Sequence, residues 1–392
     1  MLSSIVKVQD YRENIYILCS IMAHYNIRQC LKFLTIVGCN PGIQNSRLQL
    51  VLYVFSTSGS AIIILLAILL FFCSEDALTI EDIANIFSTI IAFVYVISKL
   101  TMMYTKKREV QDMLIKVDKS FWKIDDTVNP MERQTYLKIT KETRQMFHLL
   151  VFLFMFWLFS TFGIYSTPME SYRPPWIPLT PLIAFENVFC VLLVITIITI
   201  DVLIMTIVIL TTIQFKMVSA EVTKLFTDTS EMRYTQNTFN QKLKKLIDHH
   251  NFLLHFASLI NQTFTVSMVV YVGNIVSLLC IYMYHLSIMT TPNIYTIRDF
   301  FVLLLTLYGF VICYCWPAQN FADENEKIRD SVYSSNWYEY LRFSKPILMI
   351  MKRLELKVSI SAGGIANINL ETCLKVVKLA VSYYMFLKNT AN

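Results

Sequence analysis

Glycine and proline are scarce, with eight and ten residues in a chain of 392. So few turn-formers leave no room for a separate loop-rich domain, and no Ser/Gly-rich, Pro-rich or charge-rich tract marks a disordered tail. Charge is also thin. Asp, Glu, Lys and Arg make up 16% of the chain, against roughly 25% in a soluble domain. A water-facing globular surface cannot be covered on that supply. Nine cysteines are present, none in a CxxC pair, which argues against a zinc or redox centre. Internal repeats are missing, which excludes a solenoid and counts against a secondary transporter. There is no nucleotide loop, catalytic triad or paired carboxylate, so the chain reads as a non-enzyme without cofactors or metal. His249, His250 and His255 lack cysteine neighbours and read as packing or surface residues. The formal charge of +6 is spread over loops and is not a nucleic-acid signal.

What is abundant is apolar sequence, at 55% of residues. It comes in six long runs: Leu48–Phe72, Ile83–Tyr104, Phe147–Ser166, Leu182–Phe215, Val266–Met289 and Phe300–Trp316. Each approaches the ~20 residues that a helix needs to cross ~30 Å of hydrocarbon. All ten prolines lie outside these limits, and a seventh crossing follows at 370–387. Lys and Arg set the orientation. The N-terminal segment holds Lys7, Arg12, Arg28, Lys32 and Arg47, and the next loop, "CSEDALTIED", holds none. Rich and poor loops then alternate without exception. The expected fold is therefore an all-α membrane protein with seven transmembrane helices, the N-terminus cytosolic and the C-terminus extracellular. A G-protein-coupled receptor has the opposite orientation, and the third loop, "TPMESYRPPWIPLT", lacks the cysteine which that class usually staples there.

Two amphipathic stretches, "FNQKLKKLIDHHNFLLHFASLI" and "NWYEYLRFSKPILMIMKRLELK", lie on the cytosolic side. They are either membrane-surface helices or an assembly platform, and the first is expected to continue into the fifth span. "IYILCSIMA" near the N-terminus has no cleavage site and reads as a helix under the membrane. One integral unit, 1–392, is expected. It divides into a cytosolic segment (1–47), a six-helix bundle (48–316), a cytosolic anchor segment (317–369) and a final helix (370–392).

The final crossing, "ETCLKVVKLAVSYYMFLKN", carries charge. At about 100° per residue, measured from Glu371, Lys375 lies near 40°, Lys378 near 340°, Ser382 near 20°, Phe386 near 60° and Asn389 near 0°. One stripe about 100° wide thus gathers the polar side chains. A lysine at mid-bilayer costs ~2.5–3.5 kcal/mol. The stripe must therefore face water, or a polar seam on another helix. Asp201 raises the same question inside the fourth run: a functional acid, or one with a polar partner in the bundle.

Several segments together resemble the insect odorant receptor family, over nearly the whole chain. "DVLIMTIVILTTIQFKMVS" resembles its fourth helix, with Asp201 at a characteristic position. "LIDHHNFLLHFASLI" resembles its fifth-helix entry, with His250 at the family's histidine. "TLYGFVICYCW" and "ENEKIRDSVYSSNWYE" resemble its sixth helix and the Tyr333/Trp337 segment below. The C-terminal stretch from "PILMIMKRLELK" to "SYYMFLK" resembles its signature, including Ser382–Tyr383. Gustatory receptors, a related class of ligand-gated channel subunits, usually end in a helix with Thr-Tyr and Gln-Phe pairs, and the last helix here has Ser382–Tyr383 and no Gln-Phe.

The resemblance implies an odorant-gated, non-selective cation channel subunit in the plasma membrane of an olfactory dendrite. It would be heterotetrameric with a shared co-receptor, surrounded by lipid, and would take small volatile odorants. The last helix would line the pore through Lys375, Lys378, Ser382, Phe386, Asn389 and Thr390, with Phe386 as the gate and Asn389 as a selectivity contributor. Two lysines in a cation pathway are a tension, and an anion pore is the competitor on charge alone. The odorant pocket would lie in the outer halves of the bundle helices. Its expected walls are Phe87, Ile91 and Val94 on the second helix and Val191 and Val194 on the fourth. Ser160, Gly163 and Thr167 share a face of the third helix, where Gly163 leaves room and Tyr165 could donate a hydrogen bond. A small-residue stripe of that kind also suits close helix packing.

Overall fold

The computed structural model describes residues 26–43, 46–73, 80–122, 177–230, 236–288, 294–334 and 358–391, with the isolated residues 141, 145, 148, 152, 172, 348 and 352. Most of the third apolar run, "IYILCSIMA" and nearly all of "NWYEYLRFSKPILMIMKRLELK" fall outside the described residues.

The described chain is helical apart from one small hairpin. Helix α1 (26–36) ends in a motif that fastens it to the next element. The Cys39 N–H donates to the Leu34 carbonyl at 2.8 Å and the Gly38 N–H to the Thr35 carbonyl at 3.3 Å. Gly38 has φ +78°, as a left-handed helix stop demands. A methyl group there would also overlap the backbone of Gln49 and Tyr53. Gly38→Ala should therefore lower the melting temperature of the detergent-solubilised protein. The left-handed backbone alone costs about 1–2 kcal/mol for a residue with a Cβ.

Helices α2 (Arg47–Cys73), α3 (Ile80–Thr105) and α4 (Lys107–Ser120) follow. Helix α5 (Leu179–Ser230) has 52 residues and α6 (Gln236–Ile288) has 53. At 1.5 Å per residue each is about 78–80 Å long, far more than a bilayer core requires. The expected continuation of the "FNQKLKKLIDHH" stretch into the fifth apolar run is present as one unbroken helix. Among the described residues, five helices are long and apolar enough to cross a membrane: Arg47–Cys73, Asp82–Thr105, Leu179–Leu225, Asn237–Tyr284 and Phe300–Tyr333.

Two prolines sit differently from expectation. Pro181 lies within the first turn of α5, where a missing N–H costs nothing. Pro317 does not end the sixth run. Helix α7 (Ile294–Phe310) passes through a π-helical turn (Val311–Cys315) directly into α8 (Trp316–Tyr333). The Trp316 N–H reaches back to the Val311 carbonyl. This widened turn, together with the place of Pro317 at the start of the next helix, lets the chain continue without an intrahelical donor at 317.

Helix α5 is the centre of the fold. Nearly every residue from Thr199 to Val218 is buried, and α5 packs against α3, α6 and α8. Its threonines Thr206, Thr211 and Thr212 return their hydroxyls to carbonyls one turn earlier, at 2.7–2.9 Å, so polar side chains enter the core without orphaned donors. Helix α2 shows its apolar Leu48, Val51, Phe55, Leu65 and Phe72 to the outside, as a lipid-facing helix does.

A two-stranded hairpin, β1 (Ser361–Ala362) with β2 (Ala366–Asn367), precedes the last helix, α9 (Leu370–Ala391). Asn261 of α6 clamps it: its Nδ2 donates to the Ser359 carbonyl at 2.8 Å and its Oδ1 accepts from the Ser361 N–H at 3.0 Å. Both polar atoms of the Asn261 amide are thus engaged internally. Asn369 then caps α9, accepting from the Thr372 N–H at 2.7 Å.

Candidate functional site

Three features stand out: a cavity in the bundle, a buried ion pair at one end of it, and an unevenly covered last helix.

The cavity has a volume of about 170 Å³ and lies between α3, α5, α6, α7 and the π-turn. One end is formed by Ser88, Leu193, Tyr282 and Val302, and the other by Tyr95, Asp201, Tyr271 and Cys313. Its walls are chiefly aliphatic, from Ala92, Ile197, Ile198, Ile275, Leu278 and Leu305. A partly open, largely apolar space with few polar groups suits a small, weakly polar ligand.

At the far end Lys99, fully buried on α3, pairs with Asp201 on α5. Tyr314 of the π-turn donates to the same carboxylate oxygen, and the Lys99 ammonium lies 3.1 Å from the Tyr314 hydroxyl. Aromatic faces surround the cation. The Tyr95, Tyr271 and Tyr314 ring centres lie 4.7, 5.4 and 5.7 Å from Lys99 Nζ, and Tyr271 stacks on Tyr314 at 4.1 Å. The partner for Asp201 left open by sequence is therefore Lys99. Nothing in the sequence singled out Lys99. It sits near the end of its apolar run, where a lysine reads as one that snorkels to the interface. Its pairing depends on contact across three elements.

The residues expected to wall an odorant pocket are not those that line this cavity. Phe87 and Val94 are about half exposed, and Val191 is exposed as well. Val194 is buried but, like Ile91, is not part of the cavity wall. On α3 the lining is Ser88, Ala92 and Tyr95, and on α5 it is Leu193, Ile197 and Asp201. The i, i+4, i+7 spacing on α3 matches the expectation, but the register is one residue later. One residue turns a helix by about 100°, so neighbouring stripes see different surroundings. Ser160, Gly163, Tyr165 and Thr167 lie outside the described residues.

Helix α9 packs Cys373, Val376 and Ala380 inward against α6 and the π-turn. Lys375, Lys378, Ser382, Phe386 and Asn389 are all exposed in the single chain. The Thr390 side chain is outside the described set. Lys375 pairs with Glu371 one turn earlier, at 2.6 Å. Leu374, Leu379, Val381, Tyr383 and Met385 are exposed beside the stripe. The helix thus presents both a polar and an apolar surface that this chain does not cover.

Away from the cavity, the ends of α5 and α6 meet α4 and α8 in a polar and aromatic knot. His249 stacks on Trp122 at 3.9 Å and shares a 3.1 Å hydrogen bond with Gln214. Gln214 also accepts from the Trp122 N–H at 2.8 Å and donates to its carbonyl at 3.0 Å. Phe252 also stacks on the His249 ring, with ring centres 5.9 Å apart. Ser219 and Ser331 join α5 to α8 at 2.6 Å.

Comparison with known proteins agrees with this architecture. The structure of the insect olfactory receptor OR5 from Machilis hrabei in complex with eugenol superposes with a TM-score of 0.76, covering 94% of this chain and 99% of that one at 12% identity. A second structure of that receptor gives a TM-score of 0.71. In sequence, odorant receptor 33c of Drosophila melanogaster is 28% identical over 151 residues, which span 38% of that relative's length and 37% of this chain. The model of the 7tm odorant receptor family matches residues 79–381, from the start of α3 to the middle of α9. With most of the chain matched, and a fold shared end to end with a solved insect olfactory receptor, this protein is a member of the 7tm odorant receptor family.

Proposed function

We propose that this odorant receptor is a ligand-gated cation channel subunit of the plasma membrane. It has seven membrane crossings, a cytosolic N-terminus and an extracellular C-terminus. It binds a small volatile ligand in the cavity among α3, α5, α6 and α7, and it assembles as a tetramer with a shared co-receptor subunit. Lys375, Lys378, Ser382, Phe386, Asn389 and Thr390 line the subunit's share of the pore. That a solved receptor of this fold holds eugenol supports the ligand class.

The observation that carries the channel reading is the exposure of α9. A helix with two lysines, a serine and an asparagine along one exposed side cannot turn that side to lipid without a cost of several kcal/mol. Its apolar flanks suit lipid or a neighbouring subunit, and its polar stripe suits water. The Glu371–Lys375 pair offsets one of the two lysines, which eases cation passage. The ligand acts by binding the open state more tightly than the closed state. The π-turn touches both the cavity and α9, and so offers a short physical route between ligand and pore.

The test is thiol access. In channels co-expressed with a co-receptor, Ser382→Cys should be modified by a charged, membrane-impermeant thiol reagent while an odorant holds the pore open, and most of the current should disappear. An unmodified cysteine, with current intact, would mean that this side of α9 is dry. A C-terminal epitope should also be labelled on intact cells, which a G-protein-coupled receptor would not allow.

A further inference from the structure

Among the polar groups at the cavity, one amide oxygen is left unanswered among apolar walls. Asn274 on α6 is 9% exposed and lines the cavity, and its Oδ1 has no hydrogen-bond partner among the described residues. Tyr95 Oη, beside the ion pair at the far end of the cavity, also has no hydrogen-bond partner among the described residues, whereas Asp201 and Ser88 are engaged. Asp201 is taken by Lys99 and Tyr314, and the Ser88 hydroxyl donates to the Asn85 carbonyl at 2.8 Å. The walls near Asn274 are apolar: Ile275 and Leu278 on its own helix, and Leu193, Ile197 and Leu305 opposite. A buried amide oxygen without a donor is costly, so a site of this kind favours whatever brings the donor.

We propose that this cavity selects small ligands carrying a single hydroxyl, with Asn274 Oδ1 accepting the ligand's hydrogen bond while the hydrocarbon part lies against the aliphatic walls. This rests on the cavity being the odorant site. Its volume sets the size class. An apolar cavity of about 150 Å³ takes up benzene, so ~170 Å³ fits an alcohol of about six to eight carbons or a one-ring phenol. An ether or alkane of the same size would fill the same space and leave Oδ1 unpaired.

The experiment uses channels co-expressed with a co-receptor and dose–response curves for six- to eight-carbon primary alcohols, their isomeric methyl ethers and the matching ketones. The best alcohol should act at about 10-fold lower concentration than its isomeric ether, the discrimination that one well-made hydrogen bond in a dry site supplies. Asn274→Leu should erase that ratio by weakening the alcohol and leaving the ether where it was. Asn274→Gln, which keeps an amide, should retain part of the preference. An equal response to alcohol and ether, a ketone or ether as the best agonist, silence toward every alcohol, or a preserved ratio in Asn274→Leu would each overturn the proposal. Ala92→Phe separates the two levels of the argument. If it abolishes all responses while Asn274→Leu changes nothing, the cavity is the site and the hydroxyl preference is wrong. If responses survive Ala92→Phe unchanged, the cavity reading fails with it.

Discussion

Lys99→Met should remove about 3–5 kcal/mol of stability and most of the receptor from the cell surface, because breaking a buried ion pair leaves an uncompensated charge. Lys99 is fully buried and the Asp201 carboxylate faces it from α5. With the lysine gone, Asp201 keeps only the Tyr314 hydroxyl, in surroundings that punish an anion. Asp201→Asn should do similar harm by stranding the ammonium among three tyrosine rings. The double variant Lys99→Met/Asp201→Leu should recover much of the loss, since apolar replacements for a buried pair are often neutral or stabilising. Surface biotinylation and thermal melting of the solubilised protein read both effects. Single variants with normal expression and melting would show that the pair carries no such energy.

The other large effect is expected at the cavity. Ala92→Phe should abolish the odorant response, or shift it by at least about 100-fold, while surface expression stays near normal. Ala92 lies on the cavity wall, and a phenyl ring is about the size of the benzene that a ~150 Å³ space accepts. The ring would therefore occupy most of the ~170 Å³. Filling existing space avoids the ~1–3 kcal/mol that overpacking a closed core costs, and so loss of response separates from loss of folding. Dose–response curves beside surface labelling would distinguish them. A response unchanged by the ring would place the odorant elsewhere.

Local periodicity carried part of this picture into the sequence. The charge on the last helix repeats at helical spacing, so Lys375, Lys378 and Ser382 could be put on one side before any coordinates, and that side is exposed in the structure. The "FNQKLKKLIDHH" stretch could be joined to the apolar run after it because no proline or glycine interrupts 236–266. The same tools could not choose the face that lines the cavity. Phe87, Ile91 and Val94 repeat as regularly as Ser88, Ala92 and Tyr95, and in an apolar run every face looks equally fit for the interior. Only the neighbouring helices decide which face turns inward.

The sequence by itself determined that this is a helical membrane protein, and only the resemblance of its motifs pointed to the odorant receptor family. Apolar run length, sparse charge and the one-sided polarity of the last helix are properties of a single segment and need no partner to be read. Tertiary structure alone decided that Lys99 answers Asp201, that a π-turn carries the chain past Pro317, and that Asn274 looks into a cavity. Each depends on which residues of distant segments meet, and in a bundle whose helices are apolar on nearly all sides that is set by packing rather than by pattern.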